Sequence, residues 1–154
     1  MSVRTSDSPS IAAKILLVDD NRHGLSARKA VLQELGYSIT VSSDPIDAAA
    51  IIASTAFDLI ITDYKLPHMS GVDLIAKIRE MHPATPVILI SGFVDTLGLT
   101  EENTGSDAVI QKSANEVHQL VRAVARLLRR KTPRKPAASV TRAPAAKAKS
   151  KGVS

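Results

Sequence analysis

The chain has 154 residues, among them 20 Lys and Arg and 15 Asp and Glu, with a formal net charge of +5 at pH 7. That length suits one domain with some additional chain. No cysteine is present, which excludes disulfides and thiolate metal sites, and no apolar run approaches membrane-spanning length or forms a signal peptide. With two Phe, two Tyr and no Trp, the composition argues against an aromatic stacking platform for single-stranded nucleic acid. We therefore expect a cytoplasmic protein with no membrane contact.

The charge is unevenly distributed along the chain. From Arg129 to the end there are nine basic residues and no acidic one, whereas residues 1–128 hold 11 basic and 15 acidic residues, a net charge of −4. Residues 131–154 mix Lys, Ala, Pro and Ser with almost no large apolar side chain, which predicts a disordered tail. Salt-sensitive contact with nucleic acid through this tail is one hypothesis, and a solubilising extension is the other. Residues 1–13 are expected to be a flexible lead-in, which leaves 14–130 as the folded domain.

Five short runs rich in aliphatic and β-branched residues predict buried strands, each followed by a segment with helical features. In chain order the strand segments are KILLV (14–18), 37–41, the run that begins at Phe57, VILI (87–90) and DAVIQ (107–111). Five alternations of strand and helix in about 115 residues predict an α/β domain, with a parallel sheet, right-handed crossovers and helices on both faces.

The intervening helices have recognisable ends. Asn21 is expected to cap a helix over 22–35 that Gly36 terminates, with Leu25, Val31, Leu32 and Leu35 on its inner face. The later starts are Asp44-Pro45, a capping box of Ser70 with Asp73, and a capping box of Ser113 with Glu116. The last of these opens an amphipathic helix whose apolar stripe runs from Val117 to Leu128. Residues 93–105 predict the weakest helix, because Gly98 and two Thr interrupt it.

Polar residues follow the apolar part of four of the five strands. Asp19 and Asp20 follow the first strand, Asp63 ends the third, Ser91 the fourth, and Lys112 follows the fifth. Each has an ordinary structural explanation when taken alone, and Asp63 in particular could simply form a turn. The carboxyl ends of parallel strands share one edge, however, where open α/β sheets place their ligands. We therefore expect these five side chains to lie together.

This set of residues suits phosphoryl transfer. Three carboxylates repel one another unless a cation is present, and oxygen ligands without His or Cys suit Mg²⁺. Lys112 supplies a fixed positive charge and Ser91 a hydroxyl donor. Asp63 is then the candidate nucleophile, since carboxylates form acyl phosphates in other proteins.

The same residues resemble a bacterial response-regulator receiver domain. The resemblance covers residues 14–129 and rests on KILLVDDN, on D-x-x-x-P-x-M-x-G from Asp63 to Gly71, on PVILISG and on Lys112. It implies a doubly wound, flavodoxin-like (βα)5 sheet with strand order 2-1-3-4-5. It also implies a signalling domain of the chemotaxis-regulator type rather than an enzyme, whose own chemistry is limited to phosphotransfer and slow loss of the phosphate.

By position, the resemblance implies that Asp63 is phosphorylated by a sensor histidine kinase or a histidine phosphotransfer protein. It implies that Asp20, Asp63 and the backbone carbonyl of Lys65 bind Mg²⁺ (or Mn²⁺), with Asp19 acting mainly through water. Lys112 and Ser91 would hold the phosphoryl group, and Ser91 would move toward it as a switch. No output module is recognised after the receiver, so a stand-alone receiver is expected.

Three positions depart from the family pattern. Ser113 replaces the usual proline after the lysine, and because a cis bond at a non-proline costs about 3 kcal/mol, a trans bond or a reshaped loop is expected. Val109 replaces the usual Tyr or Phe, which places the usual switch readout in question. Lys65 stands beside the path of attacking water, where it either tunes the phosphate lifetime or is a solvated loop residue. His68 is expected to be an ordinary loop residue.

Alternative functions make distinct demands on the sequence. A receiver-like module that binds partners without phosphate is favoured by Val109 and Ser113 and opposed by the intact acidic set. A haloacid-dehalogenase-type phosphatase needs a second Asp where Lys65 stands. A dinucleotide-binding enzyme needs G-x-G-x-x-G where the sequence reads DDNRHG.

Overall fold

The structure, a computed structural model, describes residues 12–131. Most of the expected lead-in and all but the first residue of the basic tail lie outside the described residues, as do the disorder and nucleic-acid contact predicted for them. Among the helices of residues 12–131, none is both long enough and apolar enough to cross a membrane.

Five parallel strands form one sheet in the order β2-β1-β3-β4-β5, as expected. The strands are β1 (Lys14–Val18), β2 (Ser38–Ser42), β3 (Leu59–Asp63), β4 (Val87–Ser91) and β5 (Ala108–Gln111). Every residue of β3 and β4 is buried, because helices cover both faces of the sheet centre. The predicted α/β doubly wound architecture is confirmed.

Within residues 12–131, six helices connect and flank these strands. They are α1 (Arg22–Glu34), α2 (Pro45–Ser54), α3 (Gly71–Met81), α4 (Val94–Leu97), α5 (Glu101–Thr104) and α6 (Glu116–Lys131). The weak helix predicted over 93–105 is two single turns: Gly98 adopts φ +62° after the first, and Thr100 caps the second. A left-handed glycine ends a helix because its carbonyls then find local partners.

The core has two layers, one on each face of the sheet. Alternate strand residues point to opposite sides, so Leu17 and Ile61 pack beneath α1 and α6, whereas Leu16 and Ile60 pack with α2 and α3. All four are at most 2% exposed. A sheet buried on both faces is rigid, and this rigidity fixes the positions of the residues at its carboxyl edge.

Three predicted helix starts are confirmed and one is wrong. Asn21, Asp44 and Ser70 cap their helices through side-chain oxygens, and Ser70 forms a full capping box with Asp73. Each such cap is worth about 1 kcal/mol. The box predicted for Ser113 and Glu116 does not form, because the Glu116 carboxylate instead accepts a hydrogen bond from Arg28.

Two apolar residues are less buried than their helical stripes predict. Leu35, at the C-cap of α1, is 52% exposed, and Val117, in the first turn of α6, is 42% exposed. Both lie at a helix end, where the stripe runs past the sheet and meets solvent.

Candidate functional site

The sheet register brings the predicted site residues to one edge. Val18 lies opposite Thr62, so the residues that follow each, Asp19 and Asp63, leave the sheet side by side. Ser91 is the last residue of β4, and its carbonyl accepts a hydrogen bond from the Lys112 N–H at 2.9 Å. Strand pairing alone thus places side chains from four strands at one end of the sheet.

Asp19, Asp20 and Asp63 form a compact acid cluster. One carboxylate oxygen of each lies within 4.8 Å of the others. Asp19 and Asp63 are 2% and 5% exposed, whereas Asp20 is exposed to solvent. Two buried carboxylates this close repel strongly unless positive charge compensates them.

Lys112 provides part of that compensation. Its Nζ lies 3.0 Å from Asp63 Oδ1. Burial nevertheless raises the pKa of Asp63 above its ordinary value, with the hydrogen bond from Lys112 opposing this shift and the Asp19 charge reinforcing it. Asp63 is therefore a buried carboxylate whose ionised form a bound cation would stabilise.

The acids face an open cavity of about 560 Å³. Its walls include Asp20, Asp63, Lys65, Ser91, Phe93 and Lys112. Of the predicted site residues, only Asp19 is absent from the walls, because it turns into the protein. Ser91 is 1% exposed, and its hydroxyl accepts a hydrogen bond from the Phe93 N–H at 2.9 Å. The hydroxyl proton therefore remains available to an oxygen in the cavity.

The loop after Asp63 closes tightly through a glycine. The Gly71 N–H donates to the Tyr64 carbonyl at 2.7 Å. A Cβ at position 71 would lie 2.2 Å from the backbone oxygen of Asp63, a contact that no side-chain rotation relieves. Within the loop His68 adopts φ +71°, an uncommon backbone conformation for a residue with a side chain. Within the described residues, no hydrogen bond joins His68 to the acids or to Lys112, and its role as an ordinary loop residue stays a prediction.

Two residues from neighbouring loops meet at the rim of the cavity. The Lys65 Nζ lies 5.7 Å from the centroid of the Phe93 ring, within cation–π range. Both side chains are exposed. Lys65 is therefore neither free in solvent nor inside the acid cluster, and the contact of its side chain with Phe93 was not anticipated.

Sequence reasoning also missed an arginine behind the acids. Arg28 is 6% exposed, and its guanidinium donates to Asp19 Oδ2 and, at 2.7 Å, to Glu116 Oε2. The signal was present: Leu25, Arg28 and Leu32 share the spacing of one buried helix face. An arginine on such a face needs a buried acid as its partner, and Asp19, at the end of a buried strand, was one candidate.

The donor set fits a hard divalent cation. In the part of the chain that the structure describes, the cluster offers three carboxylates and neither nitrogen nor sulfur ligands, which matches the preference of Mg²⁺. The pKa of Asp63 is raised chiefly by burial and further by the charge of Asp19, so a cation at the cluster would stabilise the ionised carboxylate. Asp20 and Asp63 would hold such an ion, which would neutralise the charge of an incoming phosphoryl group.

Comparison with known proteins agrees with this geometry. A family model described as the response regulator receiver domain matches residues 15–125. The transcriptional regulatory protein CpxR of Klebsiella pneumoniae is 34% identical over 121 residues, which is 76% of this chain and 50% of CpxR. The chain thus spans half of the length of that regulator.

Solved structures give the same result. A receiver domain protein of Methanospirillum hungatei, described as CheY-like, superposes with a TM-score of 0.72 at 28% identity, covering 79% of this chain and 97% of its own. The response regulator TrrA of Thermotoga maritima, solved with Mg²⁺ and BeF, gives 0.68 at 28% identity over 75% of this chain and 98% of its own. The chain belongs to the response regulator receiver domain family of two-component systems.

Proposed function

We propose that the protein is a response regulator that accepts a phosphoryl group on Asp63. In the cytoplasm, the donor would be a phosphohistidine of a sensor histidine kinase or of a histidine phosphotransfer protein. A carboxylate oxygen of Asp63 forms the new O–P bond while the N–P bond of the phosphohistidine breaks. The electron pair of the broken N–P bond returns to the imidazole nitrogen. The signal then passes on by protein contact or by a further phosphotransfer.

The observation that carries the proposal is the environment of Asp63. Its carboxylate is buried, pairs with Lys112 at 3.0 Å and faces a cavity large enough for a phosphoryl group. A buried nucleophile with a fixed cation beside it is positioned for in-line attack, because little reorganisation is needed as charge develops.

The remaining site residues receive roles that follow from their positions. Asp20, Asp63 and the backbone carbonyl of Lys65 would hold Mg²⁺ or Mn²⁺, with Asp19 reaching the ion through water. Lys112 would hold one phosphoryl oxygen and the Ser91 hydroxyl another. Both already line the cavity that Asp63 faces.

Labelling by a small phosphodonor tests the assignment. The protein incubated with acetyl phosphate should gain one phosphoryl group when Mg²⁺ is present and none with EDTA. Asp63→Asn should abolish the gain, whereas Asp95→Asn, an exposed acid of α4, should retain it. Intact-mass spectrometry measures the change of mass. Labelling that persists in Asp63→Asn would refute the acceptor assignment.

A second candidate is a receiver that binds its partner without phosphate. Val109 favours it, because this half-buried valine lines a groove between β5 and α6 where the family usually has an aromatic ring. The two candidates differ in one measurement. Equal partner affinity for the labelled and unlabelled protein would favour the second, and a change of affinity on labelling would favour the first.

A further inference from the structure

The buried arginine behind the acids explains how this cluster is held together in the folded chain. The Arg28 side chain is 7% exposed, and it lies on the same face of α1 as Leu25 and Leu32. A guanidinium removed from water is costly unless carboxylates pair with it. Here two carboxylates do so, those of Asp19 and Glu116.

Asp19 uses both of its oxygens inside the protein. Oδ1 accepts a hydrogen bond from the Asn21 N–H at 2.9 Å, and Oδ2 accepts one from Arg28. This arrangement turns the carboxylate away from the cavity, whose walls contain Asp20 and Asp63 but not Asp19. The negative charge of Asp19 is therefore already balanced by Arg28 inside the protein.

The first turn of α1 leaves room for this pair. A Cβ on Gly24 would lie 3.0 Å from Asp19 Oδ2 and 3.2 Å from Arg28 Nη1. Both distances are tighter than ordinary contacts, so a side chain at this position would press on the ion pair itself. The glycine at position 24 therefore leaves the space that the ion pair of Arg28 with Asp19 occupies.

The pair continues into the last helix. Glu116 is the first residue of α6, its side chain is 15% exposed, and its Oε2 lies 2.7 Å from Arg28 Nε. Four residues earlier, Lys112 pairs with Asp63. The acid cluster is thus tied twice to the segment 112–116, once through each buried aspartate.

We infer that Arg28 is an internal counter-cation that lowers the affinity of the acid cluster for divalent cations and joins the cluster to the start of α6. The inference rests on the divalent-cation site proposed above. Arg28 acts through Asp19 and is a positioning residue. Because one positive charge near the cluster opposes the arrival of another, its removal strengthens cation binding.

Paired substitutions test this role without leaving the Glu116 carboxylate without its cation. Arg28→Met with Glu116→Gln removes the arginine and its outer partner together, and should bind Mg²⁺ about tenfold more tightly than the wild type. Glu116→Gln alone leaves Arg28 free to act on Asp19 and should weaken binding a few-fold. Lys29→Met, one residue along α1, removes one positive charge, as Arg28→Met does, and should leave the affinity unaltered.

Calorimetric titration with Mg²⁺ measures the affinity, and melting in EDTA and in saturating Mg²⁺ gives a second readout. The double variant should melt lower than the wild type in EDTA and recover more on addition of Mg²⁺. An affinity equal to or weaker than that of the wild type, in a double variant that melts cooperatively, would overturn the role of Arg28.

The outcomes separate this inference from the proposed function. Mg²⁺ uptake without phosphoryl labelling would refute the acceptor role of Asp63 and leave Arg28 as inferred. Phosphoryl labelling, together with equal Mg²⁺ affinity in the wild type and the double variant, would refute the role of Arg28 and leave Asp63 as the acceptor. Absence of Mg²⁺ uptake by every variant would overturn both the metal site and this inference.

Discussion

The strands begin at the amino edge of the sheet and end at its carboxyl edge, and an arginine binds acidic or polar partners at each. The partners of the two arginines differ. At the carboxyl edge, Arg28 bonds two carboxylates and is 7% exposed. At the amino edge, Arg79 donates to the backbone carbonyls of residues 83, 85 and 105, and to Asp107 at 2.8 Å. Its side chain is 28% exposed.

The partners explain what each arginine does. Carbonyls are neutral and fixed in the backbone, so Arg79 holds the loops before β4 and β5 in place, and Asp107 extends this by accepting from the Val87 N–H. Carboxylates are charged, so Arg28 mainly balances charge. Substitutions at the amino edge are therefore expected to change the free energy of unfolding by the same amount with and without Mg²⁺. Substitutions at the carboxyl edge are expected to change it by an amount that depends on ions and pH.

The largest expected effect tests whether the carboxyl edge also depends on backbone packing. Gly71→Ala should destabilise the fold by about 3–5 kcal/mol, because the new Cβ meets the Asp63 carbonyl at 2.2 Å. Gly92→Ala, which has nothing within 4 Å, is the matched control and should cost less than about 1 kcal/mol. Urea denaturation of both variants measures the difference. Equal costs would mean that the loop after Asp63 adapts freely.

The next effect concerns the amino edge. Arg79→Met should destabilise by about 2–3 kcal/mol, because several carbonyls and Asp107 lose their donor. The loss should be the same in EDTA and in Mg²⁺, since the site lies at the opposite edge. Lys77→Met, exposed on the same helix, controls for the change of charge. A loss that varies with Mg²⁺ would contradict the proposed division between the edges.

A smaller effect of opposite sign is expected at Asp63. Because its folded pKa is raised, chiefly by burial, the ionised carboxylate weakens the fold, and this loss appears as pH rises through the folded pKa. Asp63→Asn should therefore stabilise the metal-free protein at pH 7. The gain should shrink as pH falls through the folded pKa toward the ordinary value. Urea denaturation in EDTA at several pH values measures it, and a gain that grows on acidification would reverse the sign assigned here.

The smallest effect is expected at the rim. The contact between Lys65 and Phe93 is exposed, so its coupling should be about 0.5 kcal/mol. A double-mutant cycle of Lys65→Met and Phe93→Leu, read by urea denaturation, isolates it. A coupling energy of zero would mean that Lys65 is a solvated loop residue, which is one of the two roles considered from the sequence.

Local patterns were sufficient to predict most of the fold. The buried strands, the caps at Asn21, Asp44 and Ser70, and the break near Gly98 all follow from short-range chemistry, and the structure has each of them. The strand order came instead from a resemblance, because apolar runs show that strands pair but not which neighbour each one takes.

The site was predictable where it depends on strand ends and not where it depends on contacts between helices. Asp63 and Lys112 could be placed together because parallel strands end at one edge. Arg28 and Glu116 are 88 residues apart, and a familiar local motif offered another role for Glu116. Glu116 pairs with Arg28 rather than with its local cap because the buried guanidinium needs a carboxylate. The burial of Arg28 cannot be deduced from the residues next to Glu116 in the sequence.

The division of one helix into α4 and α5 has a consequence for how the chain unfolds. Each is a single turn, so neither gains the cooperativity that successive hydrogen bonds give a longer helix. Thr100 and Asn103 satisfy each other's backbone N–H groups within the second turn. The amides between β4 and β5 should therefore exchange with deuterium well before those of the strands themselves, as a separate unit that opens while the sheet stays intact.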